Sequence, residues 1–155
     1  MFDSFSDDAH LWIYGFSRKL KEDQAGLVKR YLNPFIENWK SHGKPVQGSW
    51  ELLHNRFILI ATDDDPSGCS IDSSVQMLRE LKDGYDLDAL TPHLVFYRDG
   101  REINAVDRMH FQQLVDEGLI GEDTLVFNTT INTVGHLREG LWELPFRESW
   151  HRLAF

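Results

Sequence analysis

The run Phe57-Ile58-Leu59-Ile60-Ala61 constrains this chain more than any other stretch. An unbroken series of apolar strand formers has no polar face to turn to water, so a strand here must be covered on both sides. Asp63 to Gly68 is turn chemistry. From Ile71 the spacing changes, and Ile71, Val75, Leu78 and Leu81 fall on one helical stripe. The order is therefore buried strand, acidic turn, helix. Chains often place ligands or reactive groups where a central strand hands over to a helix, and this handover carries the only cysteine, Cys69.

Around that unit the other elements follow in order. Residues 1–9 read as a loose lead-in, and Leu11 to Phe16 as an aromatic, β-branched strand. From about Lys21 to His42 the stripe Val28, Leu32, Phe35 or Ile36, and Trp39 predicts a helix that Gly43 stops. Asn33-Pro34 interrupts it, giving either a kink or a second helix capped by Asn33. Ser49 to Leu53 and Phe57 to Thr62 pair about a tight turn at His54-Asn55, since Asn tolerates the left-handed conformation such a turn requires. The Cys69 helix runs to about Lys82, with Gly84 past its end. Leu94 to Tyr97 is the next strand, and Asp99-Gly100 turns it into Glu102-Ile103.

This β-α-β-β-α-β order is the split βαβ pattern of ferredoxin-like folds, an antiparallel four-stranded sheet backed by two helices. The expected class is α+β in a single domain. Residues 9–98 form the ferredoxin-like core and 99–155 a C-terminal α/β extension. That extension holds a helix at Arg108–Glu117 with Phe111, Leu114 and Val115 inward, then a strand at Thr124–Phe127. A polar loop from Asn128 leads to an aromatic tail. Trp142, Phe146, Trp150 and Phe155 are too apolar for a free tail and are expected to dock on the sheet or on a second subunit, which leaves a homodimer open.

Composition removes several function classes. The 155 residues carry a net charge of −9, and no basic run exceeds the pairs Arg18-Lys19 and Lys29-Arg30, so a nucleic-acid partner is not expected. No apolar stretch approaches the ~20 residues that cross a bilayer. The first eight residues are acidic where a signal peptide is basic. One cysteine permits no internal disulfide. A soluble cytoplasmic protein is the expectation.

Arg56-Phe57, Ser67-Gly68-Cys69-Ser70-Ile71-Asp72, Phe127-Asn128 and Glu148-Ser149-Trp150-His151 together resemble an uncharacterised family of small bacterial proteins. The resemblance covers nearly the whole chain. Members of that family often carry the label "ABC transporter ATPase", and it offers no catalytic residues to carry over. The residues themselves oppose the label. Phosphate-cradling loops end in Gly-Lys-Ser/Thr, whereas the only Gly-Lys here, Gly43-Lys44, is followed by Pro45. No Leu-Ser-Gly-Gly signature is present, so a nucleotide hydrolase is not expected. Residues 97–127 are also similar to part of a small GYF-type adaptor module, through Tyr97-Arg98-Asp99-Gly100, Leu114, Gly118-Leu119-Ile120 and Asp123 to Val126. That likeness implies binding of proline-rich peptides, although most of the aromatic groove is missing.

The candidate chemistry centres on Cys69. Free amides at a helix start lower a thiol's pKa, while Asp63, Asp64, Asp65 and Asp72 oppose that effect. A packing cysteine competes with a reactive one. In a ferredoxin-like sheet the edge that holds Cys69 also holds His10 and Arg98, the only candidate catalytic helpers. His54 lies at the other end of its strand, ~20 Å away at about 3.3 Å per residue. Ser67, Gly68, Ser70, Asp63 and Asp72 are candidate ligand contacts at the same edge, and Trp142, Trp150 and His151 are candidates in the tail. No metal site and no cofactor are expected: the Asp63–Asp65 run lacks alternating ligand spacing, and the seven histidines never fall at i, i+3 or i, i+4. No Gly-x-Ser-x-Gly elbow exists. Two function classes remain, a small non-catalytic binding or interaction protein with a protein or small-molecule partner, and an enzyme or sensor built around Cys69.

Overall fold

The structure is a computed structural model that describes residues 2–65 and 68–155, with the backbone alone for 68–70. Chain order is β1 (His10–Gly15), α1 (Glu22–Glu37), a small hairpin of β2 (Lys40–Ser41) and β3 (Lys44–Pro45), β4 (Gly48–Leu53), β5 (Phe57–Thr62) and α2 (Gly68–Tyr85). It continues with β6 (Val95–Asp99), β7 (Glu102–Val106), α3 (Arg108–Asp116), β8 (Leu125–Phe127), α4 (Val134–Arg138) and β9 (Glu143–Pro145). A 3₁₀ turn (Phe146–Glu148) and α5 (His151–Ala154) close the chain.

The strands make two main antiparallel sheets. The first has the order β1-β5-β4 and the second β7-β6-β8-β9. Every residue of β5 is buried, because its two faces meet different layers. Ile58 and Ile60 pack against Val28 and Leu32 of α1 and Leu78 and Leu81 of α2. Phe57, Leu59 and Ala61 face the second sheet, where they meet Phe96, Ile103, Phe127 and Trp142. On the far side of that sheet, Val95 and Val126 pack under Phe111 of α3 with Ile120 and Phe146. The result is four layers: two helices, a sheet, a second sheet, then a helix with the tail.

The expected single four-stranded ferredoxin-like sheet does not form. β1, α1, β4, β5 and α2 follow the expected order and pairing, with β5 between its neighbours. The strand expected fourth, β6, instead joins β7 and β8. Phe96 is the physical reason on one side: its ring meets that of Phe57 edge-to-face at 4.9 Å, a contact between stacked sheets. On the other side the free edge of β1 is already occupied. Leu11 N–H donates to the Asn132 carbonyl, Val134 N–H donates to the Ala9 carbonyl, and His10 bridges Thr133.

Several local expectations change for similar reasons. Pro34 sits inside α1 without ending it, and Asn33 accepts a hydrogen bond from the Trp50 indole at 3.0 Å instead of capping a second helix. Gly43 (φ +78°) forms the β2–β3 turn rather than stopping the helix, and Gly84 lies within α2. His54 and Asn55 both have positive φ (57° and 50°), the paired left-handed conformation of a tight hairpin turn. The lead-in is not loose. Phe2 and Ala9 are buried, and the Arg138 guanidinium donates to the Phe2 and Phe5 carbonyls and to Asp7.

The tail docks on its own chain. Trp142 wedges between Phe57 and Phe127, at 4.8 and 5.1 Å between ring centroids, and Phe155 closes on Phe111 at 4.8 Å. Among the described residues no helix is long and apolar enough to cross a membrane.

Gly15 ends β1 where the sheets press together, and a Cβ there would overlap the Phe96 ring. Gly15→Ala should cost about 1–3 kcal/mol in urea unfolding, the usual range for overpacking. Gly26, in α1, has open space around its Cβ position, so Gly26→Ala should stabilise by about 0.5–1 kcal/mol through helix propensity. Equal effects of the two substitutions would contradict this packing of the sheets.

Candidate functional site

At the strand-to-helix handover the acidic residues have structural occupations. Asp63 accepts from the Ser6 hydroxyl at 2.6 Å and from the Ser6 N–H, which ties the N-terminal segment to the end of β5. Asp64 accepts from the Gln47 N–H at 2.6 Å. Asp72 is exposed on α2. Ser67 lies outside the described residues, as do the side chains of Gly68, Cys69 and Ser70, whose backbone forms the first turn of α2. His10 does sit at this end, paired in register with Thr62, but it is exposed and stacks on Trp12 at 6.0 Å. Arg98 does not sit there. It belongs to the second sheet and gathers with His54 at the opposite end of β5, about 17 Å along the strand. Its expected place rested on the single-sheet topology. Among the described residues no group of three or more His, Cys, Asp or Glu side chains is arranged to hold a metal ion.

The aromatic candidates are largely core. Trp142 is buried in the inter-sheet cluster. Trp150 is half-buried, its indole N–H donating to Asn128 at 3.1 Å, and it stacks on His151 at 4.0 Å. His151 is buried, with Nδ1 2.6 Å from the Ser149 hydroxyl and its ring beside Phe111. Burial, then the nearby Arg108, lowers its pKa to about 4.

What the fold brings together lies at the hairpin end. Lys19, His54, Asn55, Arg56, Arg98, Arg101, Glu102 and Ile103 line a concavity of about 320 Å³. Three chain segments supply them: the β1–α1 connection, the β4–β5 turn, and the β6–β7 hairpin. In a protein of net charge −9 this is a concentrated positive site.

Arg56 forms its floor. It is 7% exposed, and its three nitrogens donate to the carbonyls of Phe16 (3.2 Å), Ser17 (2.8 Å) and Ile103 (2.8 Å). The first two carbonyls follow β1 of the first sheet and the third belongs to β7 of the second. Its guanidinium also lies 5.8 Å from the Phe96 ring centroid. Burial lowers the Arg56 pKa and Glu102 opposes that, yet a guanidinium keeps its charge. None of the three hydrogen-bond acceptors is a carboxylate.

The walls differ in how their charges are met. Arg98 Nε donates to both oxygens of Glu143, at 2.9 and 3.0 Å, and the guanidinium lies over Phe127. Lys19 and Arg101 are exposed and make no ion pair among the described residues. The His54 ring meets Phe127 edge-on at 6.2 Å while its other side stays open to water. Partial burial, then Arg98, lowers its pKa, with Glu143 opposing. His54 is therefore a neutral donor and acceptor at pH 7, set among cations. Asn55 beside it donates to Glu22 at 3.0 Å.

Sequence reasoning passed over Lys19, Arg56 and Arg101 and set His54 aside for its distance from Cys69. One signal was available. An arginine directly before a strand covered on both faces has to be buried itself, and a buried guanidinium needs acceptors or an anion. Comparison with models of known protein families, with curated proteins and with solved structures finds no match to this chain.

Two measurements check these assignments. Arg56→Met removes the donors of three carbonyls that the sheets cover, at about 1–3 kcal/mol each. It should therefore destabilise by at least about 3 kcal/mol, and a loss under 1 kcal/mol would show that the clamp is dispensable. For His151 the folded pKa of about 4 lies below the ordinary 6.5. Between those values the unfolded chain binds a proton that the folded chain excludes. The contribution is thus complete above pH 6.5 and lost as pH falls towards 4, to a total of about 3 kcal/mol. Urea midpoints should fall across that window in the native protein and less steeply in His151→Gln.

Proposed function

We propose that this protein is a small non-catalytic binding protein that takes the negatively charged group of its ligand in the cleft of Lys19, His54, Arg98 and Arg101. One observation carries the reading: cations from the β1–α1 connection, the β4–β5 turn and the β6–β7 hairpin converge on one concavity in an otherwise acidic molecule. Convergence of like charge opposes folding unless a counter-charge arrives, and Arg56 adds a fixed positive floor whose partners are neutral. No serine, threonine or cysteine is among the residues that line the cleft. The rival class, an enzyme or sensor around Cys69, loses Arg98, which lies at the other end of β5. A nucleotide hydrolase gains no support either, because Gly43-Lys44 falls in a small hairpin and not where a strand hands over to a helix. For the first half of the chain, we read β1-α1-β4-β5-α2 as a ferredoxin-like unit whose fourth strand has passed to the second sheet.

A second reading rests on a neighbouring groove that shares Arg98 with the first cleft. Tyr97, Leu114, Leu119 and Ile120 line a concavity of about 320 Å³ beside the β6–β7 turn, and Leu119 is 66% exposed. This groove falls within the residues that resemble a GYF-type adaptor. It supports an interaction role in which a proline-rich segment lies across it, and chemical-shift changes confined to these four residues on adding a proline-rich peptide would support that role.

For the first reading, a ligand that binds the folded state raises stability by mass action, about 2.7 kcal/mol at a concentration 100-fold above Kd. Phosphate, sulfate or citrate should raise the melting temperature above that in sodium chloride of matched ionic strength. The double substitution Lys19→Glu/Arg101→Glu should abolish that rise while leaving the melting temperature in chloride within a few degrees. Failure of every anion to exceed chloride would end this reading.

A further inference from the structure

We propose that the charged group this cleft receives is the phosphate monoester of a small molecule, held as a dianion by Lys19, Arg101 and the free edge of Arg98 around the His54 turn. This rests on the reading of the cleft as an anion site and adds the class of anion.

Charge is the first argument. Three of the lining cations, Lys19, Arg56 and Arg101, have no carboxylate partner in hydrogen-bond contact among the described residues. The only lining carboxylate is Glu102. Arg98 is already neutralised by Glu143, and Glu22 is turned to Asn55 one position back from the cavity. Three cations without a carboxylate partner, Arg56 among them as a fixed charge, against one lining carboxylate leave an excess that a dianion balances and a monoanion does not.

Geometry is the second. Carboxylates are best recognised by a planar fork that offers two parallel N–H bonds. The one wall arginine placed for that, Arg98, has its Nε edge committed to both oxygens of Glu143, and its NH1 faces the Arg101 carbonyl at 3.4 Å. What remains is a set of single donors arriving from different segments: the Lys19 ammonium, the Arg101 guanidinium, the outer edge of Arg98 and the His54 ring. A tetrahedral group with three terminal oxygens takes such donors separately, whereas a planar group with two oxygens leaves some unused. Arg56 cannot leave its carbonyls, so it acts as a fixed charge beneath the phosphate and not as a contact.

Size is the third. A cavity of about 320 Å³ is at the lower end of the volumes that enclose small organic ligands. It accommodates a phosphoryl group with a few further atoms, and favours a free small molecule over a phosphorylated protein segment.

The test is calorimetric titration of the full chain at pH 8, where phosphate monoesters are dianions, with four probes: glycerol 3-phosphate, succinate, acetate and a phosphoserine peptide. Glycerol 3-phosphate should bind at least about tenfold more tightly than succinate or acetate, a difference of ~1.4 kcal/mol. Lys19→Gln and Arg101→Gln should each weaken it by about tenfold without lowering the melting temperature, and Asp63→Asn, at the far end of β5, should leave it unchanged. Succinate or acetate binding as tightly as glycerol 3-phosphate, with the same dependence on Lys19 and Arg101, would overturn the phosphate assignment and leave the anion cleft standing. Tighter binding of the phosphoserine peptide would overturn the small-molecule assignment. Absence of binding by every probe, or binding indifferent to Lys19 and Arg101, would overturn both the phosphate assignment and the anion cleft.

Discussion

The two sheets are joined by one buried cation. Where β1 ends and β7 runs past it, the carbonyls of Phe16 and Ile103 are buried between the sheets and that of Ser17 is partly covered. Each would be an acceptor without a donor, at a cost comparable to a lost hydrogen bond. The Arg56 guanidinium, planar and rich in donors, meets all three at once. A lysine has one compact ammonium and no comparable reach. The charge that accompanies these donors is spread over neutral carbonyls and the face of Phe96, so it is stabilised but not cancelled. The architecture therefore produces a positive potential at this end of the molecule as a consequence of joining its layers.

Packing around that joint explains why the sheets stack instead of merging. Phe57 is the hub, with Phe96, Phe127 and Trp142 all within 5.1 Å of its ring. Aromatic rings at such separations in tilted and edge-to-face arrangements gain more than their buried area alone provides. Gly15 permits Phe96 to reach the layer beneath. The aromatic tail supplies Trp142 to the same cluster and Phe146 to the layer beyond it, so the tail contributes to the core. Trp142 is thereby committed to packing between the sheets, while the rim of the hairpin end stays exposed and polar.

Much of the secondary structure could be read along the chain. The apolar run of β5 does meet two layers, the His54-Asn55 turn does take left-handed geometry, and Phe111 does lead the inward face of α3. Local rules for helix ends mislead at Asn33 and Pro34, where the Trp50 indole takes the Asn33 side chain and packing carries α1 through Pro34; Gly43 turns a small hairpin and Gly84 lies inside the last turn of α2. The candidate site failed in a related way. Arg98 was placed beside Cys69 only because β6 was assumed to complete the first sheet.

The sequence by itself determined the local elements, because hydrophobic period and turn chemistry act between neighbours in the chain. It also determined that β5 must be central and that the aromatic tail must find cover, since both would otherwise expose apolar surface to water. Only the tertiary structure decided whether β6 would lie beside β1 or on top of it. Both choices bury the same apolar residues, and the difference lies in ring packing about Phe57 and in the occupation of the β1 edge by residues 132–134. The cleft was decided at the same level. Its cations come from positions 19, 56, 98 and 101, and only the last two share a local unit, the β6–β7 hairpin. That hairpin meets Lys19 and the His54 turn where Arg56 ties the two sheets together.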